Sequence, residues 1–219
     1  MLHVEAAPCQ TIGSPSMTLV VDLPTMASNL PPPPSPTLDP YIDAAARCFV
    51  RFGVSRTTVP DIARELGISR TTVYRQVGTV SELSSHLFNR EMHSFLTYLP
   101  QSLSNQPAPE AVVSMVESII GYSRNHPVLS KVIADEPELI GPFLTRDMPQ
   151  VVERVGAVTK PMLATAMDSG LLAPHDPHVL VEWLVRTAVT VVLSPPTTVD
   201  IKDFLRDLLL PALSPVERT

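Results

Sequence analysis

Residues 58–77 read TVPDIARELGISRTTVYRQV, and this stretch predicts two short helices joined by a tight turn. Thr57 or Thr58 can cap the first helix and Ser69 the second, since hydroxyl side chains favour helix N-termini. Gly67 supplies the open backbone position that a three- or four-residue turn needs, and the small Ala63 lets the two helices cross closely. The stretch therefore predicts a helix-turn-helix, a motif whose second helix lies in the DNA major groove.

The same stretch separates an inner face from an outer face. The residues predicted to fill the shared core are Ile62, Leu66, Ile68 and Val73. The outer face of the second helix carries Arg70, Thr71, Tyr74 and Arg75. Arginine can bind phosphate or guanine, and the hydroxyl groups can contact phosphates or bases. The N-terminus of this helix adds partial positive charge for a phosphate.

Helical signals continue on both sides of the motif. Asp39 can cap a helix that has Pro40 in its first turn and apolar residues at helical spacing, and Gly53 can end it. After the motif, a fourth helix is predicted from Glu82 to about Tyr98, and Pro100 is expected to end it.

The rest of the chain predicts a second, all-helical domain. Its expected helices are Pro109–Asn125, Val128–Glu136, Met148–Ser169, Pro177–Leu193 and Asp200–Leu213. The segment from Pro137 to Pro149 is expected to be broken by its prolines, and Pro161 to kink the helix that contains it. The predicted fold is therefore all-α, with an N-terminal three-helix helix-turn-helix domain over residues 38–86 and a helical bundle over residues 87–214.

The two ends of the chain predict tails. Residues 1–37 include the run Leu30–Pro36, which has five prolines in seven residues and favours polyproline II rather than helix. We expect residues 1–37 to be a disordered Pro-rich tail, either passive or a ligand for a Pro-recognising domain. Residues 215–219 are a short C-terminal tail.

Charge and composition narrow the class of protein. The net charge is −6, yet residues 41–95 hold seven arginines against five acidic residues, as in a DNA-binding module attached to an acidic body. No stretch has the length and apolarity of a membrane span. The two cysteines predict reduced thiols in a cytoplasmic protein. Neither a nucleophile–histidine arrangement nor a metal-ligand spacing stands out, so we expect no enzyme, no metal and no cofactor.

The segment from Ile42 to about Met92 resembles the DNA-binding domain of the tetracycline-repressor (TetR) family. The residues that carry the resemblance are Ala44-Ala45-x-x-x-Phe49, Phe52-Gly53, Thr57-Thr58-Val59-x-Asp61-Ile62-Ala63, Leu66-Gly67-Ile68-Ser69, Thr72-Val73-Tyr74 and Leu83. It covers about 50 residues in detail, whereas the remaining part matches only in length and helical character.

The resemblance implies a transcription regulator, mainly of the repressor type, that binds a palindromic operator on double-stranded DNA as a homodimer. Carried over by position, Thr58, Arg70, Thr71, Thr72 and Tyr74 would contact DNA. With Ser69 and Arg75 of the same stretch, they are the predicted DNA-binding residues. Pro60, the stretch Gln76–Gly78 and Val80 depart from the family's pattern, which predicts fewer phosphate contacts. The last two helices would form the dimer interface, as their strongly apolar sequences also indicate.

A regulator needs a signal to respond to, and the second domain has apolar residues that could bind a small ligand. The residues expected to line a pocket for a small apolar ligand are Met115, Ile119, Tyr122, Phe143, Met162, Met167 and Trp183. Methionines at helical spacing are also ordinary core residues. Two alternatives therefore stay open: a regulator without a small-molecule ligand, and a helical interaction protein whose DNA binding is weakened.

Overall fold

The computed structural model describes residues 32–102 and 106–215, and within these ranges it contains helices and no β-strand. The main helices are α1 Asp39–Phe52, α2 Val59–Leu66, α3 Arg70–Val77, α4 Val80–Ser102, α5 Ala108–Asn125, α6 Pro127–Asp135, α7 Met148–Asp168, α8 Pro177–Leu193 and α9 Ile201–Leu213. The predicted all-α fold is confirmed.

Local signals explain how the first three helices begin and end. Asp39 is the first residue of α1 rather than its cap, since the 3₁₀ turn Pro36–Leu38 leads directly into the helix. This turn lies at the edge of the predicted tail, whose residues 1–31 are outside the described ranges, as are residues 216–219. Gly53 and Gly67 end α1 and α2 with φ of 90° and 67°, a backbone region that glycine adopts easily.

Two proline predictions are wrong. Pro100 does not end the fourth helix, because α4 runs on to Ser102. The segment from Pro137 to Pro149 is not broken either: it winds through a 3₁₀ turn at Pro137–Leu139, a helical turn at Ile140–Pro142 and a π-helical turn at Phe143–Asp147. Pro137 and Pro149 lie in first-turn positions, where the missing N–H has no helical partner to lose.

Two hydrophobic cores organise the described residues. The first joins α1, α2, α3 and the start of α4, and its buried residues include Ile42, Phe49, Ile62, Val73, Leu83 and Leu87. The second joins the later part of α4 to α5, α7, α8 and α9, and includes Phe95, Val116, Ile120, Leu163, Leu184 and Leu209. Because α4 contributes to both, the chain passes from one core to the other inside a continuous helix. The limits 38–86 and 87–214 stay predictions.

The short helix α6 lies between the two cores. Val128 packs against the first core, whereas Leu129 and Ile133 pack against the second. His126 caps this helix, its ring nitrogen accepting a hydrogen bond from the N–H of Leu129 at 3.4 Å. The helix α6 therefore contacts both cores.

Candidate nucleic-acid interface

The geometry of the turn between α2 and α3 follows from Ala63 and Gly67. Ala63 is buried, with 3% of its surface exposed, at the place where the two helices cross. The N–H groups of Gly67 and Ile68 donate to carbonyls of the last turn of α2, at 3.2 and 3.0 Å. This bonding closes α2 and lets the chain re-enter helix at Ser69.

The shared core differs from the prediction at Ile68. Ile62 and Val73 are fully buried and Leu66 is half-buried, but Ile68 is 37% exposed. Ile68 lies in the turn itself, so its side chain does not reach the space between the helices. Val59 and Val77 are buried in this core instead, each 5% exposed.

The predicted outer face of α3 is presented to solvent. Arg70, Thr71, Tyr74 and Arg75 are all exposed, and 55% of the Tyr74 surface is accessible. A large aromatic ring so exposed on an eight-residue helix is unusual for a side chain that only supports packing. The structure therefore groups two guanidinium groups and two hydroxyl groups on one surface of a helix.

Ion pairing divides the arginines of this domain into two groups. Four are paired: Arg47 and Arg51 with Glu65 at 2.7 and 3.5 Å, Arg64 with Asp61 at 3.1 Å, and Arg90 with Asp43 at 2.8 Å. Arg56, Arg70 and Arg75 have no ion pair with any carboxylate of the described residues. The positive charge left for a partner is therefore concentrated on α3 and on Arg56.

The helix N-termini of the domain differ in charge. Asp61 lies in the first turn of α2, and its carboxylate accepts a hydrogen bond from the N–H of Thr58 at 3.0 Å. Glu82 does the same for Thr79 at the start of α4, at 2.7 Å. The first turn of α3 has no acidic residue and is capped by the neutral Ser69. Of these three N-termini, that of α3 best suits a phosphate.

These caps also perturb the two carboxylates. Hydrogen bonds from the Thr58 hydroxyl and N–H lower the pKa of Asp61, and hydrogen bonds from the N–H and hydroxyl of Thr79 lower the pKa of Glu82. Both side chains therefore stay charged at neutral pH.

Three predicted DNA contacts have a structural task within the chain. The hydroxyl of Thr58 donates to Asp61. The hydroxyl of Ser69 accepts from the N–H of Thr72 at 3.1 Å and lies 2.9 Å from the Thr72 hydroxyl. Contacts of Thr58, Ser69 and Thr72 with DNA remain predictions, as do those of the four exposed side chains.

The sequence prediction did not include Arg56. It is exposed in the loop between α1 and α2. The sequence could have indicated Arg56, because it is a basic residue just before the motif and the connection is too short to place its side chain far from α2.

The residues expected to line a ligand pocket are dispersed. Met115 is buried, and Ile119, Phe143, Met162 and Met167 are half-buried against the second core. Tyr122 and Trp183 lie at the surface, 39% and 38% exposed. The hydroxyl of Tyr122 donates to Glu91, and burial together with this carboxylate raises its pKa to about 12. The lining of a pocket by these seven residues remains a prediction.

The structure has an open cleft of about 520 Å³ between α1, α4 and the start of α6. Its walls include Val50, Leu87 and Val128, with Arg47 and Arg90 at its edge. None of the seven predicted pocket residues lines it.

Together, the helix-turn-helix and the unpaired basic face of α3 define a DNA-binding protein. The comparisons with known proteins give the family. Residues 42–77 match the family model described as bacterial regulatory proteins, tetR family. Residues 42–77 thus have the fold and the sequence pattern of a TetR-family DNA-binding domain, and the chain is similar to HTH-type transcriptional regulators.

The chain is similar to several curated regulators. It is 25% identical over 176 residues to an uncharacterized HTH-type transcriptional regulator of Mycobacterium tuberculosis (strain ATCC 25618 / H37Rv), which covers 80% of this chain and 87% of that protein. It is 22% identical over 139 residues to the uncharacterized HTH-type transcriptional regulator YhgD of Bacillus subtilis (strain 168), covering 63% and 72%.

Solved structures show the same fold. The TetR-family repressor AlkX from Dietzia sp. strain DQ12-45-1b is 19% identical, with a TM-score of 0.57 over 82% of this chain and 94% of that one. The fatty acid degradation regulator FadR from Bacillus halodurans is 16% identical, with a TM-score of 0.61 over 84% and 98%. In the described part of the chain, no helix combines the length and apolarity needed to cross a membrane.

Proposed function

We propose that the chain is a repressor that binds a palindromic operator as a homodimer and responds to a small apolar ligand. The observation that carries the proposal is the outer face of α3, where Arg70, Thr71, Tyr74 and Arg75 are exposed and neither arginine has an ion pair among the described residues. A repressor acts by occupying its operator, so the strength of this face sets its effect.

The homodimer would form through α8 and α9. Val179 and Trp183 on α8 are 62% and 38% exposed, and Leu208 on α9 is 50% exposed. Both helices pack on α5, and exposed apolar groups on them favour a protein partner. A second copy suits the DNA side as well, since one recognition helix reads one half-site and a two-fold dimer reads a palindrome.

The small ligand would enter the second domain. Met115, Ile119, Phe143, Met162 and Met167 supply flexible and apolar side chains around its core. Two structural neighbours are described by their roles in apolar chemistry, AlkX in biodegradation of n-alkanes and FadR in fatty acid degradation. This favours a ligand with a hydrocarbon chain.

The DNA proposal is tested by mapping the genomic sites that the full chain occupies. We expect the bound sites to share an inverted repeat and to bind two protomers each. Occupancy of sites without a common sequence, or one protomer per site, would contradict the proposed operator.

The ligand proposal is tested by thermal unfolding in the presence of fatty acids and n-alkanes of increasing chain length. A compound that binds the folded state raises the unfolding temperature, and a true inducer also releases the mapped DNA. A regulator without a small-molecule ligand is the second candidate, favoured by the position of the 520 Å³ cleft away from the predicted pocket residues. It predicts no stabilisation by any of these compounds.

A further inference from the structure

A buried carboxylate joins the second domain to the loop that precedes the helix-turn-helix. Glu136 follows the last residue of α6 and is 2% exposed. Its carboxylate accepts hydrogen bonds from the N–H of Val54 at 2.6 Å and of Ser55 at 2.9 Å, and from the Ser55 hydroxyl. These donors lie in the short loop between α1 and α2.

The described polar contacts between these two parts of the chain converge on this one side chain. Among the described residues, every hydrogen bond and ion pair between residues 32–79 and residues 106–215 ends on Glu136. Other links run through α4, which belongs to both cores, or are apolar, as between Val128 and the first core. Glu136 therefore makes the contacts between these two parts of the chain that depend on direction, namely hydrogen bonds, whereas the other contacts are apolar or run through α4.

The energetics make this contact specific. A buried charge is costly unless hydrogen bonds satisfy it, and here three donors do so. Burial alone would raise the pKa of Glu136, but the hydrogen bonds from Ser55 and Val54, with the charge of Arg56, lower it. The charged form is thus the one that holds the loop, and a displaced loop would leave it unpaired.

Gly53 makes room for the carboxylate. Its φ is 90°, and a Cβ at this position would lie 2.7 Å from the carboxyl carbon of Glu136. Glycine is thus needed both for the backbone conformation and for the close approach. The loop and Glu136 are therefore in close contact, although Val54 and Glu136 are 82 positions apart in the sequence.

Glu136 is placed to follow changes in the second domain. It lies between α6, whose Leu129 and Ile133 pack on the second core, and the helical turns that lead to α7. Phe143 in those turns packs on the same core. A shift of this segment would move the carboxylate and, with it, the loop that leads into α2.

We propose that Glu136 is a positioning residue for DNA binding, which fixes the orientation of the helix-turn-helix relative to the second domain. This inference rests on the DNA-binding function proposed above. The first core is formed without Glu136, so its loss frees the orientation of the motif and leaves the motif itself folded.

The test compares Glu136→Gln with two controls in the full chain. Glu138→Gln removes the same charge from an exposed side chain two residues away. Leu163→Ala lowers stability from the buried core of the second domain, far from the loop in sequence. Spin labels at Gln76→Cys and Ser169→Cys, both exposed, report the distance between α3 and the end of α7. The labelled chains carry Cys9→Ser and are diluted with unlabelled protein.

We expect Glu136→Gln to broaden the distance distribution and to weaken binding to the mapped DNA about ten-fold. The reason is that the glutamine amide places an N–H donor where a carboxylate oxygen of Glu136 accepts a hydrogen bond. Both controls should keep the wild-type distribution. Ser55→Ala removes a single donor and should give a smaller broadening. It tests the same contact if Glu136→Gln does not fold.

Two results would overturn the inference. One is an unchanged distribution in both Glu136→Gln and Ser55→Ala. The other is equal broadening in Leu163→Ala, which would indicate general loosening. Failure of the proposed function is distinguishable: wild-type protein would then bind no specific DNA, whereas the distances would still report the orientation.

Discussion

Arg70 and Arg47 show how a single ion pair changes what an arginine can do. Arg47 lies 2.7 Å from Glu65, whereas Arg70 has no carboxylate within ion-pair distance among the described residues. A paired guanidinium must leave its partner before it meets a phosphate, which offsets much of the gain. An unpaired guanidinium group can bind a phosphate directly, and this contact releases counterions from the DNA.

Arg70→Ala should therefore weaken binding to the mapped DNA by about 1–3 kcal/mol, with the dimer unchanged. Tyr74→Ala should weaken it in the same direction, because its exposed hydroxyl and ring lie on the same face. Fluorescence anisotropy with a labelled DNA fragment measures the affinity, and light scattering checks the dimer.

The matched control is Arg47→Ala, which removes the same charge from an exposed but ion-paired site. It should change affinity much less than Arg70→Ala. Equal losses in the two variants would mean that net charge, and not the face of α3, determines binding.

At the scale of single helices, the sequence predicted most boundaries because their signals are local. Gly53 and Gly67 end α1 and α2, Ser69 caps α3, and Gly170 follows α7, all within a residue or two of their predicted places. Two errors came from prolines: Pro100 lies inside α4, and the stretch from Pro137 to Pro149 winds through helical turns. Pro161 and Pro211 lie inside helices that the sequence did predict, although each removes one N–H donor.

The turns of the helix-turn-helix give a test at this scale. Gly67 and Gly78 both have positive φ, 67° and 71°. A Cβ at Gly67 would meet nothing within 4 Å, whereas one at Gly78 would collide with the Glu82 carboxylate that caps α4. Gly67→Ala should lower the free energy of unfolding by about 1–2 kcal/mol through backbone strain. Gly78→Ala should lower it further, as chemical denaturation can measure; a smaller loss than for Gly67→Ala would contradict the packing of this turn.

The cap of α4 should make stability depend on pH. The Thr79 N–H and hydroxyl lower the pKa of Glu82 below its ordinary value. A carboxyl with a lowered folded pKa stabilises the protein above its unfolded pKa, about 4.3 for glutamate, and this stabilisation is lost as pH falls through the folded pKa. Glu82→Gln should therefore lower the urea midpoint at neutral pH and show a smaller further loss in acid than wild type. Parallel pH profiles of the two proteins would contradict this role.

At the scale of the whole molecule, the proposed dimer through α8 and α9 rests on the exposed apolar side chains of these helices. Leu208→Asp places a charge on the exposed face of α9 and should convert the protein to a monomer with little change in helix content. Sedimentation velocity measures the assembly. Leu144→Asp, at a similarly exposed leucine between α6 and α7, is the matched control and should stay dimeric. A dimeric Leu208→Asp protein would place the interface elsewhere.

Long-range features of the molecule were beyond prediction from sequence. The exposed face of α3 follows from helical spacing within eight residues, so it was predicted in full. The contact of Glu136 with Val54 spans 82 residues and depends on how two cores pack around α6, which no local pattern encodes. The acidic residues Asp135, Glu136 and Glu138 flank Pro137, a composition typical of a solvated loop, whereas the structure buries Glu136.

The central claim is that α3 presents DNA contacts from each half of a dimer. The most direct test is a footprint of the full chain on a mapped genomic site. We predict two protected half-sites related by a two-fold axis, with major-groove contacts separated by about one helical turn or a multiple of it, and loss of this footprint in Arg70→Ala at the same protein concentration. Protection that ignores sequence, or a footprint that Arg70→Ala leaves intact, would contradict it.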